Sequence, residues 1–195
     1  MNMPTIRLQT PPRCIPPVPY LLVLLLLACL LPMTVHAADP PGYREAVSNM
    51  TRLEANVRQR NQREPWEKLA QQFLNVYNSQ KRWNNRPAAL YRSALALDKL
   101  SRRASNKKDA RNATERYALL VRQHPRSEYA DDALLQAARL QYDIIGDERR
   151  SEALLRQQLR GYPSGRKAAE AKALLARVSR TATEEKKEEE KAPTK

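Results

Sequence analysis

Residues 109–125 recur as residues 147–163, an offset of 38. Asp109 lies over Asp147, Tyr117 over Leu155, and His124-Pro125 over Tyr162-Pro163. Each copy reads as a helix that starts near an Asp, buries a large residue midway and stops at an aromatic-or-His–Pro pair. The helix after each copy is alanine-rich: Ala130, Ala133 and Leu134 follow the first, Ala168, Ala169 and Ala171 the second. A more divergent copy spans Trp66 to Leu97. One helical hairpin cannot bury its own apolar face, so tandem copies must stack. Small alanines let a partner helix come close, and large residues on the partner fill the gap. The expected fold is all-α, a solenoid of about three helical hairpins plus a C-terminal capping helix.

Hydrophobic periodicity places the helices. From Tyr43 the apolar residues follow a 3.6-residue period, and helix 1 is expected over 43–61 with Tyr43, Ala46, Met50, Leu53 and Val57 on one face. Helix 2 is expected to start at Pro65 and helix 3 at Pro87, since proline suits a first turn. Helix 4 carries Ala110, Ala113, Tyr117 and Leu120. Helix 5 follows Pro125, with Ser127 as a candidate N-cap and Asp131-Asp132 in the first turn, where negative charge favours the helix dipole. Gly146 stops helix 5 and Asp147 caps helix 6. Helix 7 follows Pro163-Ser164-Gly165. With only 6% aromatic residues and 4 glycines, composition also argues against a β-rich domain.

Ahead of these helices stands an export signal. Arg7 and Arg13 form a positive leader, Tyr20 to Leu31 is nearly unbroken apolar sequence, and Val35-His36-Ala37 offers a cleavage site after Ala37. The apolar run is shorter than the ~20 residues that span a bilayer as a helix. Cys14 and Cys29 both fall inside the segment to be removed, so the processed chain would hold no disulfide, thiolate ligand or cysteine nucleophile. Leu26-Leu27-Ala28-Cys29 is also similar to a lipobox, which would put a lipid on Cys29; the apolar Leu30 and Leu31 after it argue for simple cleavage. The organisation is then a signal peptide over 1–37, a linker over 38–42, a helical repeat domain over 43–180 and a charged, disordered tail over 181–195, with room for its first part to prolong helix 7. The formal charge of +14 becomes +12 once the leader is gone.

The frame formed by Pro65-Trp66, Phe73, Tyr77, Pro87, Ala89-Leu90, Asp109, Tyr117, His124-Pro125, Ser127, Ala130-Asp131-Asp132-Ala133-Leu134, Gly146-Asp147 and Tyr162-Pro163 resembles periplasmic tetratricopeptide (TPR) repeats. It is similar to the TPR modules of the Tol-Pal-associated cell-division coordinator and of the β-barrel assembly lipoprotein. It resembles more closely the N-terminal repeat region of N-acetylmuramoyl-L-alanine amidases of sulfate-reducing bacteria. The resemblance implies a TPR-like superhelix in the periplasm, acting as a binding or scaffold module linked to peptidoglycan remodelling or envelope assembly. The amidases' zinc-dependent catalytic domain has no counterpart in this sequence, so what carries over is a module and not an activity. Two alternatives stay beside it: a truncated or accessory form of such an amidase, and an outer-membrane-anchored assembly lipoprotein.

The residues themselves offer little catalysis. A zinc hydrolase needs three protein ligands and a base, and the sequence has two histidines, His36 in the leader and His124 at the end of helix 4. No cofactor, metal or catalytic set is expected, and His124 reads as a packing residue. Trp83, in the Lys81–Asn85 loop that the 38-residue repeat lacks, is expected to tuck onto its own helices. Two binding surfaces are candidates. Polar residues off the buried stripe of the first helix of each pair, Arg92, Gln136, Arg139 and Asp143, would line a concave face for an envelope protein or peptide segment. Arg102, Arg103, Lys107, Lys108 and Arg111 at one turn, with Arg149 and Arg150 at the equivalent turn, would form a basic rim for an anionic envelope polymer or lipid head groups. No stacking motif accompanies these charges, so nucleic acid is not an expected partner.

Overall fold

Caps and prolines divide residues 38–191, the part of the chain described by the computed structural model (side chains through Thr181), into seven α-helices with no strand among the described residues. They are α1 Pro41–Ala55, α2 Arg63–Ser79, α3 Arg86–Ala104, α4 Lys107–Gln123, α5 Ala130–Leu140, α6 Glu148–Gly161 and α7 Ala168–Lys191. A single 3-10 turn, Gln59–Asn61, joins α1 to α2, and α5 ends in a π-helical turn, Gln141–Ile145. The expected leader, its Cys29 and the last four residues lie outside the described part.

Successive helices pack as hairpins, and helices two apart also meet, so the odd-numbered helices form one layer and the even-numbered ones another. In the odd layer Arg92 of α3 donates to the Tyr43 hydroxyl of α1 at 2.8 Å, and Tyr91 of α3 donates to the Asp132 carboxylate of α5. Tyr142, in the turn that ends α5, meets Thr181 of α7. In the even layer Arg63 of α2 grips Asp109 of α4 with both terminal nitrogens, at 2.8 and 2.6 Å. Tyr162, just past α6, donates to the Pro125 carbonyl, just past α4.

The core lies between the layers. Ala88, Ala89, Ala94 and Ala96 on α3 and Ala130, Ala133 and Ala138 on α5 have no exposed surface. Against them sit Trp66 and Phe73 of α2, Tyr117 and Leu120 of α4 and Leu155 of α6, all fully buried. Each such large side chain contributes roughly 1.5–3 kcal/mol of transfer free energy. Serine serves as a small contact residue in the same way: Ser93 of α3 donates to the Ala70 carbonyl of α2, and Ser151 of α6 to the Ala138 carbonyl of α5. Trp83 is tucked in, tilted against Tyr43 with ring centres 4.7 Å apart.

Several expectations need correction. Helix 1 stops at Ala55 rather than 61, because Asn56 turns extended (φ −86°, ψ 100°) and its side chain accepts from Gln59 N. Val57 therefore misses the core and is 61% exposed. The linker is shorter than expected, since Pro40 and Pro41 lead straight into α1. The tail expected to be disordered over 181–195 continues the last helix as far as Lys191, the prolongation its first part allowed, and no proline interrupts the Glu/Lys sequence before Pro193. Asp109 is not the counterpart of Asp147 as a cap. Asn106 caps α4, accepting from the backbone of Lys108 and Asp109, while Asp147 caps α6 through Arg150 N. Asp109 sits three residues further in, buried on Arg63. Ser127 closes a short turn onto Tyr129 N instead of capping α5. Asp131 and Asp132 reach beyond their own helix: Asp131 accepts from Gln158 of α6 (2.6 Å) and from Lys167 N ahead of α7 (2.9 Å), and Asp132 accepts from Tyr91 and Gln136.

Asp131 explains one glycine. A Cβ on Gly165 would stand 2.7 Å from the Asp131 Cγ, and that carboxylate is held on two sides. Gly161, the last residue of α6, has nothing within 4 Å of its would-be Cβ. Urea unfolding should therefore show Gly165→Ala destabilising by about 1–3 kcal/mol, since it strands a buried carboxylate and the Lys167 N–H. Gly161→Ala should be neutral or stabilising by up to about 1 kcal/mol.

His124 ends α4 edge-on to Tyr77, ring centres 5.8 Å apart, with Nε2 3.2 Å from the Tyr77 hydroxyl. Burial, and secondly the nearby Arg86 charge, lower its pKa below the ordinary 6.5. A base whose folded pKa is depressed contributes stability that is complete above its unfolded value and lost as pH falls toward the folded one. Thermal stability of the wild type should decline as pH drops below about 6.5. The variant His124→Phe, which keeps the ring but not the titration, should show a shallower decline over that window.

Candidate functional site

Charged pairs stitch the odd helices together along their outer face. Lys99 of α3 meets Glu54 of α1 at 3.1 Å. Arg102 of α3 binds Asp98 one turn back at 2.6 Å and reaches Asp143, in the π-helical turn, at 3.3 Å. Arg177 of α7 approaches Asp143 from the other side, also at 3.3 Å. Arg139 of α5 pairs with Glu170 of α7 at 2.9 Å, and Lys167 holds the other Glu170 oxygen at 2.6 Å.

Of these residues Arg102, Arg139, Asp143, Glu170 and Arg177 line a cleft of about 680 Å³ that spans α3, α5 and α7. Arg102, Arg139 and Arg177 supply three guanidiniums, Asp143 and Glu170 two carboxylates, and Gln136 an amide; Ala173 and Leu174 of α7 form an apolar strip. Arg177 also lies over the Tyr142 ring, 4.8 Å from its centre. The π-helical turn matters here, because one extra residue per turn widens the helix, and Asp143 within that turn stands between two arginines from different helices.

Electrostatics differ from one member to the next. Burial raises the Asp98 carboxyl above its ordinary value, and Arg102 only partly opposes this. Burial works against the Arg102 charge, but Asp98 and Asp143 outweigh it, so that guanidinium is held more firmly protonated. The Lys167 hydrogen bond chiefly keeps Glu170 below the usual carboxylate range. The pairs across the cleft are half open to solvent, with side-chain exposures of 33% for Asp143 and 57% for Arg177. Such pairs are worth about 0–1 kcal/mol each. They organise the cleft without locking it, and an incoming carboxylate or carbonyl can replace them.

Gln136, Arg139 and Asp143, selected from the sequence, all line this cleft. Arg92 does not: it sits in a separate cavity of about 340 Å³ with Asp39, Tyr43 and Tyr129, its guanidinium 5.9 Å from the Tyr43 ring centre. The expected basic rim is divided. Consecutive residues on a helix point about 100° apart, so Arg102 turns into the cleft while Arg103 lies over Trp66, 5.4 Å from its ring centre. Arg111 and Arg150 meet at a different groove, between α4 and α6. Lys107, Lys108 and Arg149 are exposed. Sequence reasoning missed Glu170, Leu174 and Arg177 because it treated the last helix as a cap only; their spacing of four and three residues was the available signal.

Among the described residues, no group of three His, Cys, Asp or Glu side chains is placed to hold a metal ion. No described helix is long and apolar enough to cross a membrane. Compared with protein-family models, curated proteins and solved structures, the chain finds no match.

The two kinds of carboxylate in this layer and the next should separate in chemical denaturation. Asp143→Ala, which removes only half-exposed pairs, should change stability by no more than about 1 kcal/mol. Asp109→Ala, which removes a buried two-point grip between α2 and α4, should cost about 1–3 kcal/mol.

Proposed function

We propose that this protein is a non-catalytic binding module of the bacterial cell envelope, a TPR-like superhelix that is exported and takes an extended peptide segment of a partner in the cleft between α3, α5 and α7. The observation that carries this reading is the convergence of Gln136, Arg139 and Asp143 with Arg102 and Arg177, from three successive odd helices, around one open cleft. An extended peptide offers amide groups along its length and carboxylates at intervals. Gln136 can exchange hydrogen bonds with the first, and Arg139 and Arg177 can exchange their present partners for the second. Leu174 and Ala173 give an apolar side chain somewhere to rest. The apparent export signal and the resemblance to periplasmic repeat modules support an envelope partner, connected with peptidoglycan remodelling or envelope assembly.

A photo-crosslinking residue placed at Gln136 in living cells should yield one or a few discrete adducts, and the same residue at the exposed Gln157 of α6 should not. The charge reversals Arg139→Glu and Arg177→Glu should each reduce the Gln136 adduct severalfold while leaving helicity intact. No adduct at Gln136, or equal adducts at both positions, would remove the cleft from consideration. Mass spectrometry of the processed protein should find an N-terminus at Ala38; a diacylated Cys29 would replace this with the lipoprotein reading. Zymograms on peptidoglycan should show no clearing, and a clearing band would turn the proposal toward a hydrolase.

A further inference from the structure

Beneath the cleft between α3, α5 and α7 stands a carboxylate that does not line it. Asp98 of α3 is 3% exposed, and both its oxygens are engaged from within the fold. Oδ1 accepts from Arg102 Nε at 2.6 Å, and Oδ2 accepts from the hydroxyl of Tyr117, a fully buried residue of α4, at 3.3 Å. Arg102 carries this contact upward: its Nη1 donates to Asp143 at 3.3 Å, and its side chain lines the cleft. One guanidinium is thus shared between a buried carboxylate and an open binding surface.

The other charged and titratable groups around Asp98 are committed elsewhere. Lys99, on the same helix, pairs with Glu54 of α1. Tyr91, whose ring centre lies 5.7 Å from that of Tyr117, donates to Asp132 of α5, which also accepts from Gln136. Burial, and then the Asp98 charge, hold the Tyr117 phenol protonated. Burial raises the Asp98 carboxyl above its ordinary value against the pull of Arg102, Tyr117 and Lys99. As pH falls from neutral, Asp98 therefore takes a proton from solvent before a freely solvated carboxylate does.

That proton has an acceptor at hand. On Oδ2 it faces the Tyr117 hydroxyl, which can reverse its role and accept, so neutralisation strands no buried group. What changes is Arg102. A hydrogen bond to an ionised partner is roughly twice as strong as one to a neutral partner. Asp98 then holds the guanidinium more weakly, and the cleft gains one further positive charge.

We propose that Asp98 is a positioning residue of the cleft: ionised, it ties Arg102 down, and protonated, it releases the guanidinium to a carboxylate of the bound peptide. The nature of that ligand rests on the peptide reading given above; the added content is that mild acidity strengthens the binding of acidic segments. A partner's own solvated carboxylates stay charged over the interval in which Asp98 titrates.

The test of the Arg102 switch is an acid titration of the purified protein by nuclear magnetic resonance, following the Asp98 carboxyl carbon and the Arg102 Nε–Hε signal. The carboxyl midpoint is expected above the ordinary 3.8, and the Arg102 signal should move with that midpoint. Asp98→Asn should abolish the movement with an unchanged circular dichroism spectrum, and Asp143→Asn should keep it. The wild-type titration decides even where Asp98→Asn fails to fold. A carboxyl midpoint at or below the ordinary value, or an Arg102 signal that does not follow it, overturns the proposal. The photo-crosslinking residue at Gln136 separates this from the peptide reading. In cells moved from neutral to mildly acid medium its adduct should rise severalfold in the wild type, and in Asp98→Asn it should stay at the acid level throughout. An adduct with the same pH dependence in both overturns the role of Asp98 and leaves the peptide cleft standing. No adduct at either pH, with the Arg102 titration intact, overturns the peptide cleft and leaves the Arg102 switch standing.

Discussion

Alanines with no exposed surface on α3 and α5 set how near the even helices can come, and everything else in the molecule is adjusted to that distance. Trp66, Phe73, Tyr117 and Leu155 fill the space the alanines leave. Serines occupy a few of the same small-residue positions and add a hydrogen bond to the neighbouring helix's carbonyl. The apolar nesting is non-directional, so it does not by itself choose the register between hairpins. That choice falls to buried polar grips of fixed geometry: Arg63 on Asp109 between α2 and α4, and Asp131 on Gln158 and Lys167 N between α5, α6 and the start of α7. Leaving any of these half-made is costly, so each acts as a positional constraint as well as a contact.

The two layers use their surface charge in different ways. On the odd helices, carboxylates sit between the arginines and cancel them pair by pair, leaving a cleft that is polar but nearly balanced. At the groove between α4 and α6, Arg111, Arg122 and Arg150 have no acidic partner among the described residues, although elsewhere on the even helices Arg63 and Arg156 are paired. Net charge alone would describe both as basic surface; the distribution of partners is what separates them.

Much of this architecture was legible in the residues. The number and order of helices follow from the 3.6-residue period and the proline and glycine punctuation, and the small-against-large packing follows from the 38-residue repeat. Boundaries and partners were harder to read. Asn56 ended α1 early because its side chain offered the backbone another hydrogen bond, a competition that periodicity does not register. Asp109 and Asp147 align in sequence but one is buried on an arginine 46 residues away while the other caps a helix, and only the fold distinguishes them. Gln136, Arg139 and Asp143 were found because helical spacing puts them off the buried stripe. Arg102 and Arg103 were grouped by adjacency in sequence, which on a helix means divergence in space. Glu170 and Arg177 became visible only when α7 took its place beside α5 as the fourth odd helix.

The π-helical turn at residues 141–145 serves both layers. Gln141 from this turn lines the arginine groove, and Asp143, two residues on, stands in the cleft between α3, α5 and α7. Backbone length at this point is therefore under tighter restraint than side-chain identity. Removing a single residue would return the segment to ordinary α-helical winding and turn everything beyond it by about 100°, so that both side chains would lose their settings at once. Among related chains, insertions and deletions should be tolerated in the loops after α2 and α4 and be absent from this short stretch, whatever amino acids occupy it.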